Sequence, residues 1–184
     1  NRDGNMDIMT LDMLPEDNKR QKLLFGPEHY YVYSSMQKNG YSSQCMRNML
    51  HLNNGNATFS EIGQIAGVSN TDWSWSALFA DVDNDGFQDL FVSNGYKRDL
   101  NNHEFLNYKA DQESKIAKKK AGIYTEMFEK IPSSKPTNYL FKNLRGLHFD
   151  NGSDQWGFDE GGLTHGAAYA DLDNDGDLDM ILNN

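Results

Sequence analysis

Residues 48–94 recur as residues 138–184 at a constant offset of 90 positions, without a gap. Identical pairs include Asn48/Asn138, Leu50/Leu140, Asn53/Asn143, Phe59/Phe149, Gly67/Gly157, Ala80/Ala170 and Asn94/Asn184. Such a duplication constrains the fold more than local propensity does, because each copy is one supersecondary unit that buries its apolar face only against a neighbour. The densest identity is Asp-x-Asp-Asn-Asp-Gly-x-x-Asp, which spans residues 81–89 and again residues 171–179. The opening residues Asn1-Arg2-Asp3-Gly4-Asn5-Met6-Asp7-Ile8 match the later part of that run. The chain is therefore expected to enter inside a third copy and to be a piece of a longer polypeptide.

The net charge of −10 is a property of these runs rather than of the whole chain. They hold 11 of the 27 acidic residues and leave 16 against 17 Lys and Arg. Carboxylates this close repel one another by roughly 1 kcal/mol per pair at ~4 Å even in water, so such a run is expected to be stable with a cation inside it. A basic stripe is missing apart from Lys118–Lys120, which argues against a nucleic-acid partner. No apolar run is long enough to span a membrane. One cysteine, Cys45, excludes a disulfide framework within the segment.

Aspartates at alternating positions of a tight loop turn their carboxylates toward one centre, which suits a hard cation that takes six to eight oxygens. Ca2+ is the expected ion. Positions 1, 3 and 5 of the loop supply side chains: Asp81, Asp83 and Asp85 in one copy, Asp171, Asp173 and Asp175 in the other. Position 7, Phe87 or Asp177, would offer its backbone carbonyl, and position 9, Asp89 or Asp179, would close the shell. The partial copy contributes Asn1, Asp3, Asn5 and Asp7 to the same set. An EF-hand shares the first part of the pattern but needs a bidentate Glu at position 12, where this chain has Val92 and Leu182.

The flanks of each loop are short apolar runs, Ser76–Ala80 leading in and Asp89–Asn94 leading out, and they read as strands of a hairpin. Met49–Leu52 or Tyr139–Lys142, then a short strand around Phe59 or Phe149, complete four strands per repeat. Four-stranded units recurring along a chain are the pattern of β-propeller blades. Residues 1–70 are predicted to form a partial blade with a Tyr-rich insertion at 14–44. Residues 71–157 are predicted to form a complete blade with a helical insertion at about 99–131, and residues 158–184 the first half of the next. Ile116, Ile123, Met127 and Ile131 recur at helical spacing, which predicts a helix of about five turns over 111–131, weakened at Gly122. Trp75 and His165 are expected to open the innermost strands.

Ala80-Asp-Val-Asp-Asn-Asp-Gly-Phe-Gln-Asp-Leu-Phe-Val-Ser-Asn94 and Ala170-Asp-Leu-Asp-Asn-Asp-Gly-Asp-Leu-Asp-Met-Ile-Leu-Asn-Asn184 resemble the FG-GAP or VCBS repeat family, the blades of integrin α-type propellers. Asn48–Gly55, Phe59–Gly63 and Ser69–Trp75 make the chain similar to bacterial VCBS proteins that carry an ASPIC/UnbV domain, and to cartilage acidic protein. The resemblance implies an all-β, calcium-stabilised propeller, secreted or surface-exposed, whose other blades lie elsewhere in the same polypeptide. Its implied role is non-catalytic: a binding or scaffold module facing a protein or glycan partner.

The competing class is a polysaccharide lyase, since some of those also resemble this pattern. His51, His103, His148 and His165 are candidate acid or base groups, yet none falls in a recognisable catalytic spacing. Trp73 and Trp75 read either as a sugar-stacking platform or, preferably, as packing between blades.

Overall fold

The computed structural model describes residues 2–26, 30–42, 44–116 and 123–184. In chain order its elements are β1 (Ile8–Thr10), β2 (Met13–Leu14), α1 (Asn18–Leu24), α2 (Tyr30–Lys38), β3 (Met49–Asn53), β4 (Phe59–Glu61), α3 (Gly63–Ala66), β5 (Asp72–Ala80) and β6 (Asp89–Asn94). There follow α4 (His103–Ile116), α5 (Ile123–Glu129), β7 (Tyr139–Asn143), β8 (Phe149–Asn151), a 3-10 turn at Ser153–Trp156, β9 (Gly166–Ala170) and β10 (Asp179–Asn183). The chain divides into two compact units, one of residues 1–16, 46–95 and 135–184, the other of residues 17–45 and 96–134.

The first unit is β. Strands β5, β6, β7 and β8 form an antiparallel meander, the four-stranded sheet of a propeller blade, with β2 added beside β5. A second sheet runs β1-β3-β4 and a third is the hairpin β9–β10. The duplication is kept down to the pairing register. His51↔Glu61 and Asn53↔Phe59 in one sheet answer to Phe141↔Asn151 and Asn143↔Phe149 in the next. Ala80↔Asp89 answers to Ala170↔Asp179 across the hairpins. A one-residue slip would turn every side chain to the other face, so a shared register means that each blade presents the same positions to its neighbour.

The core lies between the first two sheets. Leu50, Ile62, Ala66 and Val68 pack against Leu90, Val92 and Phe141. Alternate residues of a strand face opposite ways, so Phe91 points away from that core and meets Phe158 with ring centroids 5.2 Å apart. Strand β6 is covered on both faces and is buried throughout. In β10, the equivalent strand of the next repeat, Ile181 is 52% exposed where Phe91 is 1%.

A buried polar chain also links the sheets. Asn48 accepts from the Asp12 N–H at 2.8 Å and donates to the Thr71 hydroxyl. Thr71 meets Ser74 at 2.7 Å, and Ser74 donates to Asn94 at 2.7 Å. The Asn94 N–H donates to Asn138 at 2.8 Å, Asn138 donates to Thr164 at 2.9 Å, and Thr164 bonds Asn184. These groups are satisfied by one another, as buried polar groups must be.

The second unit gathers the two insertions, which the sequence reading treats as separate. Asp17 caps α1 by accepting from the Arg20 N–H at 2.7 Å, and the Arg20 guanidinium makes a two-pronged contact with the buried Asp99 at 3.0 and 3.1 Å. Among the described residues of the Tyr-rich insertion α1 and α2 are helical, and Tyr30 and Tyr31 on α2 stand exposed. The single helix expected over 111–131 is corrected: α4 begins at His103, capped by Asn102, whose side chain accepts from the Phe105 N–H. Lys118–Lys120 and Gly122 lie outside the described residues. No helix among the described residues is long and apolar enough to cross a membrane.

Candidate metal centre

Each acidic loop is the turn of the hairpin formed by the two leading strands of its repeat. In the loop of residues 81–89, Asn84 and Gly86 take positive φ of 56° and 85°, and Asn174 and Gly176 repeat this at 61° and 96°. Asn tolerates the left-handed region better than most residues and Gly enters it without strain, which is why these two types recur. The carboxylates hold the turn from inside. Asp81 accepts from the N–H groups of Asp85 at 3.0 Å and Gly86 at 2.8 Å, and Asp85 accepts from Phe87 at 2.9 Å. In the other loop Asp171 accepts from Gly176 at 3.1 Å and Asp175 accepts from Asp177 at 2.9 Å.

The structure brings Asp81, Asp83 and Asp85 together, one oxygen from each lying within 4.8 Å of the others. It does the same for Asp171, Asp173 and Asp179. Oxygens around one Ca2+ at about 2.3 to 2.6 Å stand no more than about 5 Å apart, so both sets fit a hard cation in spacing and in donor chemistry. The two sets differ in membership. Asp89 stands outside the first, buried, with its oxygens taken by the Val82 N–H at 3.1 Å and the Asn143 N–H at 2.9 Å. Burial pushes its carboxyl above the usual range, with Asp83 and Asp85 adding to the push. Asp175 stands outside the second set.

Among the described residues the partial copy forms no such set of three. Asp3 accepts from the Asn5 N–H and Asp7 from the Asn53 N–H, each at 2.8 Å; Asn1 lies outside the described residues.

Cationic side chains that the sequence reading did not single out surround the loop of residues 81–89. Lys142, on β7, bonds Asp83 directly and holds that carboxyl below its ordinary range, against the desolvation that raises it. The Arg145 Nε lies 3.6 Å from Asp85. Arg2 sits over the Phe87 ring at 4.9 Å and Arg145 approaches it at 5.9 Å. Nothing in the acidic motif itself signals these residues; Lys142 comes from the third strand, and only the β6–β7 register places it there.

The four candidate histidines are scattered. His51 is on β3, His103 opens α4, His148 bonds the Ile65 carbonyl at 2.9 Å, and His165 precedes β9. Trp73 pairs with Met13 across β2 and β5. Strand β5 begins at Asp72, ahead of Trp75, and shifts register between Ser74 and Ser76. At that shift the half-exposed Trp75 donates its indole N–H to the Gly95 carbonyl at 2.5 Å and meets His165 edge-on at 5.2 Å.

Residues 30–92 match an FG-GAP-like repeat. The match runs from α2 through β3, β4, α3 and β5 to β6, so the FG-GAP-like repeat is out of phase with the sheets. It takes the outer strands of one blade, the inner strands of the next and the acidic loop between those inner strands. FG-GAP repeats are typically extracellular binding or scaffold modules. Comparison with curated proteins and with solved structures gives no match.

Proposed function

We propose that this chain is part of a non-catalytic, extracellular β-propeller whose acidic loops hold structural Ca2+ and whose outer surface meets a protein or glycan partner. The observation that carries the reading is the repetition of one acidic hairpin turn with three converging carboxylates, in the segment 30–92 and again 90 residues on. Asp81, Asp83 and Asp85, with the Phe87 carbonyl and Asp89, would hold one ion; Asp171, Asp173, Asp175 and Asp179, with the Asp177 carbonyl, would hold another. Asn1, Asp3, Asn5 and Asp7 would belong to a third site. Bound Ca2+ would supply positive charge at the centre of each turn, while the backbone N–H groups already on the carboxylates fix the turn's shape.

In this reading residues 71–157 are one blade, residues 1–70 and 158–184 belong to its neighbours, and the remaining blades are further parts of the same polypeptide. The kinship to VCBS proteins with an ASPIC/UnbV domain and to cartilage acidic protein belongs to the same proposal. Extracellular calcium modules work with Kd of about 10^-4 to 10^-3 M, so moderate affinity is enough.

Calcium titration by calorimetry, on wild type and on Asp85→Ala and Asp173→Ala, tests it. One site should be lost per substitution, with a lower Tm in calcium. Unchanged stoichiometry would mean that the loops are acidic turns without metal.

A further inference from the structure

Position 4 of one acidic loop touches position 7 of the next, and it does so at both junctions present. Arg2, at position 4 of the partial loop, lies over the Phe87 ring at 4.9 Å. Asn84, at position 4 of the following loop, donates its side-chain N–H to Asp177 Oδ1 at 2.6 Å. The residue types change together, a guanidinium with an aromatic ring and an amide with a carboxylate, while the pairing of position 4 with position 7 stays. At the first junction the approach is close enough that a Cβ on Gly86 would lie 2.5 Å from the Arg2 guanidinium, whereas Gly176 has open space around it.

Position 4 sits between two residues whose side chains are proposed to bind the ion. Asn84 is held in the left-handed region at φ 56°, between Asp83 and Asp85, both of which are in the converging set. Position 7 is the residue whose backbone carbonyl would join the neighbouring shell. A change that fixes residues 83–85 therefore fixes the Asn84 side chain, and through it Asp177.

We propose that Asn84 is a positioning residue that couples successive calcium loops, so that occupancy of the 81–89 loop raises the affinity of the 171–179 loop. This rests on the calcium reading above. Coupling is reciprocal by linkage, and coupling constants between sites run from about 5-fold upward. For an exposed hydrogen bond the low end, about 5-fold, is expected.

The test is a calcium titration of the full chain followed by NMR at the Gly86 and Gly176 amides, which report the two loops separately. Asn84→Gly removes the side chain but keeps the backbone conformation accessible. It should leave both sites present and weaken the 171–179 site about 5-fold. Asp81→Ala, which disables the first loop, should weaken the 171–179 site in the wild-type background and have no such effect in the Asn84→Gly background. Asp177→Asn, which keeps an acceptor for Asn84, should retain the coupling. Two sites that titrate with wild-type affinities in Asn84→Gly would overturn the coupling alone. Absence of any calcium response in the wild-type chain would overturn the calcium reading and the coupling with it.

Discussion

Asn143 grips the end of the acidic loop at Asp89 with its backbone and at the neighbouring Gln88 with its side chain. Its N–H donates to Asp89 Oδ1 and its Nδ2 to the Gln88 carbonyl, each at 2.9 Å. Asn53 makes the same pair of contacts in the preceding blade, to Asp7 at 2.8 Å and to the Met6 carbonyl at 3.2 Å. The third strand of a blade thus fixes the loop between the first two. Asn143 also accepts from the Gly146 N–H at 3.2 Å, so Asn143→Ala leaves a donor and an acceptor without partners. A loss of about 1 to 2 kcal/mol is expected, read by urea denaturation with the m-value unchanged. A loss under about 0.3 kcal/mol would show that the backbone contact alone holds the loop.

Lys142 already places a positive charge against Asp83. Calcium entering the 81–89 loop meets a competing ammonium, and the aligned residue in the preceding blade, Leu52, carries no charge. Lys142→Met removes the competitor and lets three carboxylates repel. Calcium affinity at that loop should rise by about 3-fold or more, and the calcium-free protein should melt at a lower temperature. Calorimetry and thermal melts with and without chelator give the two signs. Weaker calcium binding in Lys142→Met would mean that the lysine helps to shape the site instead.

The polar chain between blades makes a separate demand. Asn138 is 6% exposed and joins the Asn94 N–H to the Thr164 hydroxyl. Asn138→Leu keeps the γ-branched shape of the asparagine but leaves the buried Asn94 N–H without an acceptor, at about 1 to 3 kcal/mol, and takes one of its two partners from the Thr164 hydroxyl, which keeps Asn184. Equilibrium denaturation should show a loss of about 2 kcal/mol or more. A variant as stable as wild type would mean that water replaces the amide.

What the sequence makes legible follows from where each constraint sits. The strands and loops were readable because the offset of 90 forces two copies into one register, and Ala80↔Asp89 and Ala170↔Asp179 keep it. Asn48/Asn138 and Asn94/Asn184 were visible as identities, yet their role was not, because a buried amide and an exposed one look alike in a sequence. Lys142 falls outside the repeat's identities, since position 52 is Leu. The start of α4 at His103 was missed because its apolar spacing is weaker than that of residues 116–131, and the capping Asn102 was the signal that could have found it. The split between Asp81, Asp83 and Asp85 in one loop and Asp171, Asp173 and Asp179 in the other depends on burial. Asp89 is covered by neighbouring strands where Asp179 is exposed.

Glu61 gives a pH-dependent outcome away from the acidic loops. Desolvation raises its carboxyl, but the Arg47 guanidinium at 2.8 Å and the Gly63 N–H at 2.7 Å outweigh it and hold the group below its ordinary value of 4.5. A carboxylate whose folded pKa is depressed contributes stability that is present above its unfolded value and lost as pH falls through the folded one. Because the pair is partly exposed, screening limits its contribution to about 0.2 to 1 kcal/mol. Glu61→Gln keeps an acceptor for Gly63 and removes the charge facing Arg47. The stability gap between wild type and Glu61→Gln, measured by urea denaturation across the acid range, should be fully open above pH 4.5 and should close as the pH falls further. A gap that stays constant or widens in acid would show that the ionised carboxylate does not stabilise the fold and that the substitution acts through packing.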